Sequence, residues 1–182
     1  NRLNDVWAEY FDERTEVRMH SDFVRNNLTT NNTISFSLDS GEEGGISDPA
    51  FLQTSEQFAR WLQAQPEVIH VATYTDIMKR LNKTMHGDDP AWYRLPEERE
   101  LAAQYLLLYE FSLPFGLDTN NLLDAGKAST RITATVADSS TDNILGLQQR
   151  SQQWLRDNAP SAMYHPGTSS DIMFAHMGYS NI

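Results

Sequence analysis

The sequence predicts an α+β fold. It is expected to be a ferredoxin-like split βαβ sandwich, with two helices on one face of an antiparallel sheet and further helices inserted between strands two and three. Two stretches, 33–64 and 129–155, predict this fold because each is an alternating strand followed by an amphipathic helix. The length of 182 residues is the third observation, since it suffices for one such core plus inserted helices.

The first 31 residues are predicted to form an aromatic-rich lead followed by a helix. The lead contains the run Val6-Trp7-Ala8-Glu9-Tyr10-Phe11, and Asp12 is placed to cap the helix. Asparagine pairs at 26–27 and 31–32 are turn-prone and mark its end. The residues expected on its buried side are Val17, Val24 and Leu28.

The first strand and helix are predicted from 33 to 64. Residues 33–38 alternate between polar and apolar, as a strand with one buried face does. The Gly-rich segment 40–45 lacks the Lys-Ser/Thr ending of a P-loop, and its two glutamates would repel phosphate, so we expect a solvated connection there. Asp48 caps the helix, with Pro49 at its first position and Pro66 beyond its end. Its expected buried stripe is Phe51, Ser55, Phe58 and Leu62.

The second strand and the insertion follow. Residues 68–73 are predicted to be a short strand with Ile69 and Val71 on one face, and His70 at the rim or packed. A helix is expected over about 75–85, and a second over about 96–112, which begins with Pro96 and acidic residues that suit the helix dipole. The apolar positions of the first of these helices are Ile77, Met78, Leu81 and Met85.

The second inserted helix is apolar around most of its circumference. One stripe consists of Leu101, Tyr105, Leu108 and Ser112. The apolar residues that extend it around the helix are Leu106, Leu107, Tyr109 and Phe111. A helix of this kind is expected to be buried on several sides. Its partner could be this domain, a neighbouring domain or an apolar ligand. Residues 113–117 end the helix, and 118–128 form a polar connection to the third strand.

The second strand–helix unit is predicted over 129–155. Residues 131–136 alternate, 138–140 turn the chain, and Thr141 is expected to cap a helix. The apolar positions of that helix are Ile144, Leu147, Ser151, Trp154 and Leu155. A short fourth strand is predicted over 160–165, and residues 172–182 are expected to begin another helix.

Composition excludes several classes of function. The net charge of −11 argues against a nucleic-acid backbone or an anionic membrane surface as the main partner, although solubility alone also accounts for it. The absence of cysteine excludes disulfides, thiolate zinc sites and cysteine nucleophiles. No run in the sequence approaches the ~20 apolar residues that a membrane helix needs.

Catalytic and metal-binding chemistry find little support in the residues. His86, Asp88 and Asp89 are the best candidates for a metal or acid–base site, but zinc and hard cations require more protein ligands than these supply. Aspartates that cap backbone amides in a helix–helix loop are the simpler interpretation. No serine lies in a nucleophile elbow, and the Glu97-Glu98 pair suits the first turn of a helix. We therefore expect no enzymatic activity, metal or cofactor.

Several longer segments carry a family resemblance. They include LNDVWAEYFD at 3–12, LDSGEEGGI at 38–46, DIMKRLN at 76–82, the run from Met85 through Leu95 to Glu110, and the tail MFAHMGYSNI at 173–182. Together they resemble a loop of bacterial RND-superfamily exporters, in the hydrophobe and lipid branch related to Patched and the MmpL proteins. The resemblance covers essentially the whole chain.

The resemblance implies the large extracytoplasmic porter loop of such a transporter, in its second half between the seventh and eighth membrane helices. The chain is then a piece of a longer protein on the periplasmic side of the bacterial inner membrane. It divides into a lead and helix (1–31), a first βαβ half (32–74), a helical insertion and connection (75–128), a second βαβ half (129–166), and a linker toward the next membrane helix (167–182). The family's proton-relay acids lie in membrane helices, so none is assigned here.

The implied function is to contribute the substrate path for export of apolar or lipid-like molecules by a proton-driven transporter. The implied partners are the membrane helices and the pseudo-symmetric first porter domain, with no nucleic acid, and the isolated piece is expected to be monomeric. The residues predicted to line the path are Tyr105, Leu108, Tyr109, Phe111, Leu113 and Phe115. Core or interdomain packing is the competing interpretation of these residues. The alternative function is a soluble periplasmic binding or interaction module whose apolar helix docks a protein partner.

Overall fold

The protein is described by a computed structural model that covers residues 11–27, 32–115, 117–137, 140–170 and 172–173. Its helices are α1 (Glu16–Asn27), α2 (Pro49–Gln63), α3 (Tyr74–Met85), α4 (Arg99–Ser112) and α5 (Thr141–Asn158). Its strands are β1 (Thr33–Asp39), β2 (Val68–Ala72) and β3 (Ser129–Val136). Short 3-10 turns occur at Gly45–Ser47, Pro90–Trp92 and Ser161–Met163.

The three strands form one antiparallel sheet in the order β1-β3-β2. The register pairs Ile34 with Ala134 and Phe36 with Ile132, so Ile34 and Ile132 lie in the same sheet. The two predicted βα units, β1–α2 and β3–α5, are both present. The predicted α+β class with an antiparallel sheet is therefore confirmed, and its arrangement is compatible with a small ferredoxin-like split βαβ sandwich.

Aromatic rings join the two helices to one face of the sheet. Phe58 on α2 lies between Phe36 on β1 and Trp154 on α5, with ring centroids 5.2 Å away in both cases. Trp61 stacks beside the same cluster. The predicted stripes of both helices are buried or half-buried, and the Asp48 carboxylate caps α2 by accepting amides of its first turn, as predicted.

Two predictions about the sheet are wrong. Ile69 does not share a face with Val71: its side chain is 55% exposed, because the register of β2 shifts between Val68 and His70, and His70 is exposed as well. No fourth strand forms over 160–165, where Ser161–Met163 is a 3-10 turn. Proline at 160 fixes an extended entry to that turn, and the turn's backbone amides bond locally instead of pairing with a strand.

A single bridge takes the place of the fourth strand. The backbone groups of Thr168 and Ser35 exchange two hydrogen bonds, of 2.8 and 2.9 Å, on the outer edge of β1. The preceding residue, Gly167, packs so closely on the core that an added Cβ would lie 2.5 Å from a ring carbon of Phe36. Gln148 on α5 donates to the Gly167 carbonyl at 2.8 Å. Position 167 must therefore be glycine for the bridge between Thr168 and Ser35 to form.

The predicted ends of the chain are corrected where the structure describes them. Helix α1 begins at Glu16, and Val17 is exposed rather than buried; Met19 and Phe23 are exposed too, so the apolar residues of α1 form no single covered stripe. Thr141 is the first residue of α5 rather than its cap. Leu28, the lead at 3–10 and nearly all of the helix expected from 172 lie outside the described residues.

The insertion consists of α3 and α4, which pack on each other. Tyr74 and Met78 are the buried apolar residues of α3, Ile77 and Leu81 are half-buried, and Met85 at its end is exposed. Helix α4 begins at Arg99, three residues later than predicted. Both inserted helices are thus confirmed, whereas Met85 does not belong to the buried stripe.

Candidate functional site

Helix α4 is covered on one side, and its fully buried residues lie only in its first half. Its buried residues are Ala102, Tyr105 and Leu106, all within the first two turns. Its second half and the segment after it expose five large apolar side chains, which we call the apolar patch: Leu107, Leu108, Phe111, Phe115 and Leu117. The Phe111 side chain is 77% exposed. The expectation that α4 is buried on several sides is therefore wrong for the described residues.

The structure separates the residues predicted to line a substrate path. Leu108, Phe111 and Phe115 belong to the apolar patch, and Tyr109 and Leu113 are half-buried beside it. Tyr105 faces the other way: it is buried, and its hydroxyl donates to Asn82 Oδ1 at 3.0 Å. Tyr105 is therefore a packing residue of the insertion and cannot contribute to an outer surface.

The first half of α4 is positioned by Asn82 on α3. The buried Asn82 side chain accepts from Tyr105 and donates Nδ2 to the Arg94 carbonyl at 2.9 Å. Its own backbone carbonyl lies 2.7 Å from His86 Nδ1. One asparagine thus joins α3, the segment that leads into α4, and α4 itself.

A buried carboxylate joins the insertion to the sandwich. Glu56 on α2 accepts hydrogen bonds from Thr75 (2.7 Å) and Lys79 (2.9 Å) on α3 and from Arg60 (3.0 Å) on its own helix. Burial favours a raised pKa for Glu56, but the hydrogen bonds, led by that from Lys79, outweigh it and hold the pKa below its ordinary value. The same pairing, with that to Asp76, raises the pKa of Lys79 against the opposing effect of burial.

The far end of α4 is fixed to the connection that follows it. Glu110 accepts from Lys127 and from the Thr119 hydroxyl, the latter at 3.1 Å. Lys127 has a positive φ of 53°, a conformation that costs a residue with a side chain free energy. Burial raises the pKa of the Tyr74 hydroxyl, and the negative charge of Glu110 raises it further. The apolar patch is therefore carried on a helix held at both ends.

The residues considered for metal binding have local partners. His86 stacks on Trp92 with ring centroids 3.6 Å apart, and Asp88 accepts from the Thr84 hydroxyl at 3.3 Å. Asp89 caps the Pro90–Trp92 turn by accepting the Ala91 amide at 2.9 Å, as the capping interpretation predicted. Within the part of the chain that the structure describes, no group of three or more His, Cys, Asp or Glu residues could hold a metal ion.

The Gly-rich segment 40–45 is bound to the rest of the protein by its amides. Gly44 donates to the Gly126 carbonyl at 2.9 Å, and Ile46 donates to the Lys127 carbonyl at 3.2 Å. Residues 41–43 are exposed, as expected of a solvated connection, but Gly45 is buried, and there the prediction is wrong. The amides of Ser40, Gly41, Gly44, Gly45 and Ile46 are thus engaged within the protein.

A cavity that sequence reasoning missed lies on the polar face of the sheet. Its volume is about 290 Å³, and its lining includes strand residues of β1 and β3 and the connection 120–124. Arg131 is the charged side chain that β3 contributes to this lining. The available signal was an arginine in a strand whose other outward residues, at 129, 133 and 135, are serine and threonine.

Comparison with protein families and curated proteins identified no relative of this chain. The sequence matches none of the protein-family models and none of the curated proteins with which it was compared. Among the helices that the structure describes, none is both long and apolar enough to cross a membrane.

Proposed function

We propose that this domain is an extracytoplasmic porter domain of a proton-driven RND-superfamily exporter, and that its apolar patch contacts the substrate path or the neighbouring porter domain. The proposal combines the sequence resemblance with one structural observation. That observation is the exposure of Leu107, Leu108 and Phe111, which lie within about one turn near the end of α4. The proposed site is on the periplasmic side of the inner membrane.

The apolar patch supports this proposal because Leu107, Leu108 and Phe111 lie within about one turn of α4, and exposed apolar side chains that are grouped mark interaction sites. Phe111 and Phe115 are the most exposed large apolar side chains in the described part of the chain. The domain is otherwise acidic, with a net charge of −11 for the whole sequence. An apolar surface on such a domain suits an apolar or lipid-like substrate, or an apolar protein surface, better than an anionic one.

The mode of action we propose is binding coupled to rigid-body movement. The contacts of Asn82 and Glu110 hold α4 at both ends, so the apolar patch moves with the domain as one unit. Rocking of one repeat against its pseudo-symmetric twin is the usual movement of transporters built from repeats. No covalent chemistry is required of this chain in that mode.

The parent reading frame gives the first test. The proposal requires apolar spans of ~20 residues directly before Asn1 and after Ile182, since the porter loop connects two membrane helices. A signal peptide before Asn1 together with a stop codon after Ile182 would contradict it. That result would support the alternative, a soluble periplasmic module that docks a protein partner through the apolar patch.

Substitutions in the parent protein give the second test. We expect Phe111→Asp and Phe115→Asp to abolish export without lowering membrane abundance, because both side chains are exposed and the charge disrupts only the apolar patch. Ile69→Asp is the matched control, since Ile69 is an exposed apolar residue on β2. Export that is unchanged in the two phenylalanine variants would refute the proposed role of the patch. Tyr109→Asp is less informative because Tyr109 is half-buried.

A further inference from the structure

The cavity on the polar face of the sheet lies on the side opposite the aromatic core. Core-facing residues of β1 and β3, such as Phe36 and Ile132, point to the helices, so the alternate residues Ser35, Ser37 and Arg131 line the other face. The register places Ser37 directly across from Arg131. The connection 120–124 forms one wall, because Leu122 and Leu123 pair with the start of β3.

Arg131 lines this cavity without a carboxylate partner among the described residues. Five other arginines in the described part of the chain pair with carboxylates, whereas the exposed Arg14, Arg80 and Arg156 do not and lie outside the cavity lining. The five that pair are Arg18, Arg60, Arg94, Arg99 and Arg150. The sequence contains 25 acidic residues and 14 lysines and arginines, so acidic partners are plentiful. A guanidinium left unpaired in a cavity has its donors available for a carboxylate or phosphate group.

The other polar groups of the cavity define the rest of the ligand. The Ser37 hydroxyl and the Asn121 amide have no hydrogen-bond partner in the described ranges. Asp124 is also in the lining; its carboxylate accepts the amides of Ser129 (2.6 Å) and Gly126 (3.0 Å), and these bonds lower its pKa. A second anionic group near Asp124 would be repelled, whereas hydroxyl groups could donate to it.

We propose that this cavity binds a small hydroxylated anion, such as a sugar acid or a sugar phosphate, with its single anionic group on Arg131. Its hydroxyls bond to Ser37, Asn121 and Asp124. The volume of about 290 Å³ is close to the lower end of small-molecule sites, which suits a ligand of this size. The proposal does not depend on the apolar patch or on the transporter function.

Titration of the whole 182-residue chain with three probes tests the proposal. We expect saturable binding of glucuronate, glucose 6-phosphate or both, seen by calorimetry and by shifts of the Ser37 and Arg131 amides in NMR spectra. The two anions distinguish a carboxylate site from a phosphate site. Glucose should not bind, since it lacks the group that Arg131 recognises. Arg131→Gln should weaken anion binding by about tenfold or more, which is the effect of losing one charge-assisted contact.

Arg80→Gln is the matched control, because Arg80 is an exposed arginine on α3 outside the cavity lining. It should bind the anions like the wild-type chain. Arg131→Lys keeps the charge without the planar fork and should bind with intermediate strength. Three results would overturn the proposal: no saturable binding of either anion, equal binding by Arg131→Gln, or an equal loss in Arg80→Gln.

Discussion

The sandwich is held together mainly by apolar rings, whereas the inserted helices combine apolar burial with directed hydrogen bonds. In the sandwich, Phe58 packs between Phe36 and Trp154, so large apolar rings join the sheet to both helices. The insertion also buries apolar side chains, such as Met78 and Leu106. In addition, Asn82 on α3 makes directed hydrogen bonds within the insertion, and Glu56 on α2 makes them across the junction with the sandwich. Apolar burial contributes to both regions, and the insertion adds polar contacts with defined geometry.

This difference explains why α4 can carry an exposed apolar face. Apolar burial is roughly proportional to area and has little directional preference, so it would cover such a face if it alone positioned the helix. The hydrogen bond from Tyr105 to Asn82 adds a directed contact on one side of α4, and no such contact holds the exposed face in the described residues. The orientation of the apolar patch therefore follows from the contacts on the other side of the helix, which are the Tyr105–Asn82 hydrogen bond and the burial of Ala102 and Leu106.

The largest expected effect is the loss of a ring from the sandwich. Phe58→Ala should lower the free energy of unfolding by about 3–5 kcal/mol, because it removes buried apolar area and leaves a cavity. The measurement is urea unfolding followed by circular dichroism. Phe111→Ala is the control and should change the value by less than about 0.5 kcal/mol, since Phe111 is exposed. Equal losses in both variants would mean that the apolar patch is part of the core.

A smaller effect is expected at the polar centre of the insertion. Asn82→Ala should cost about 2–4 kcal/mol, because the Tyr105 hydroxyl and the Arg94 carbonyl would both lose their partner. Tyr105→Phe removes only one of these bonds and should cost about 1–2 kcal/mol. Urea unfolding measures both values. A loss in Asn82→Ala no greater than that in Tyr105→Phe would show that the contact to Arg94 contributes nothing.

Acid should weaken the junction between the two regions. The folded-state pKa of Glu56 lies below its ordinary value of 4.5, so its ionised form contributes stability above about that pH, which is lost as the pH falls through the lowered pKa. Unfolding measured between pH 7 and pH 3 should therefore depend less on pH in Glu56→Gln than in the wild-type chain. Glu13→Gln, at an exposed carboxylate, should follow the wild-type curve. A Glu56→Gln curve parallel to wild type would contradict the prediction.

The smallest effect on stability is expected at the apolar patch. Phe111→Asp should change the free energy of unfolding by less than about 0.5 kcal/mol, because the side chain has little packing to lose. Leu106→Asp, a substitution of the same kind on the buried side of α4, should prevent the insertion from packing. Thermal unfolding of the two variants measures the contrast. A strongly destabilised Phe111→Asp would indicate that the described surface is covered in solution.

The sequence predicted the sandwich because its signals are local. Alternation over 33–38 and 131–136 indicates which strand face is buried, and Asp48 with Pro49 marks the start of α2. The apolar stripe of α5 has helical spacing and is buried or half-buried as expected. These features need only the period of a strand or helix and the chemistry of a cap.

The rest depended on contacts between distant residues. Exposure of Ile69 follows from a register shift that two-residue alternation cannot reveal. The apolar composition of α4 did not show which side of the helix would be buried. That side contains Tyr105, whose hydrogen bond to Asn82 joins residues 23 positions apart in the sequence. The cavity at Arg131 depends on the pairing of β1 with β3 and on the fold of the connection 120–124. Only the tertiary structure brings these groups together.

The close fit of Gly167 against Phe36 has a mechanical consequence. A methyl group would not fit between them, and the next residue is bonded to Ser35 through both of its backbone groups. The backbone of residues 167–168 therefore cannot shift without disturbing either Phe36 or the hydrogen bonds to Ser35. A displacement of residues 167–168 is therefore transmitted to β1 through Ser35 and to the aromatic core through Phe36.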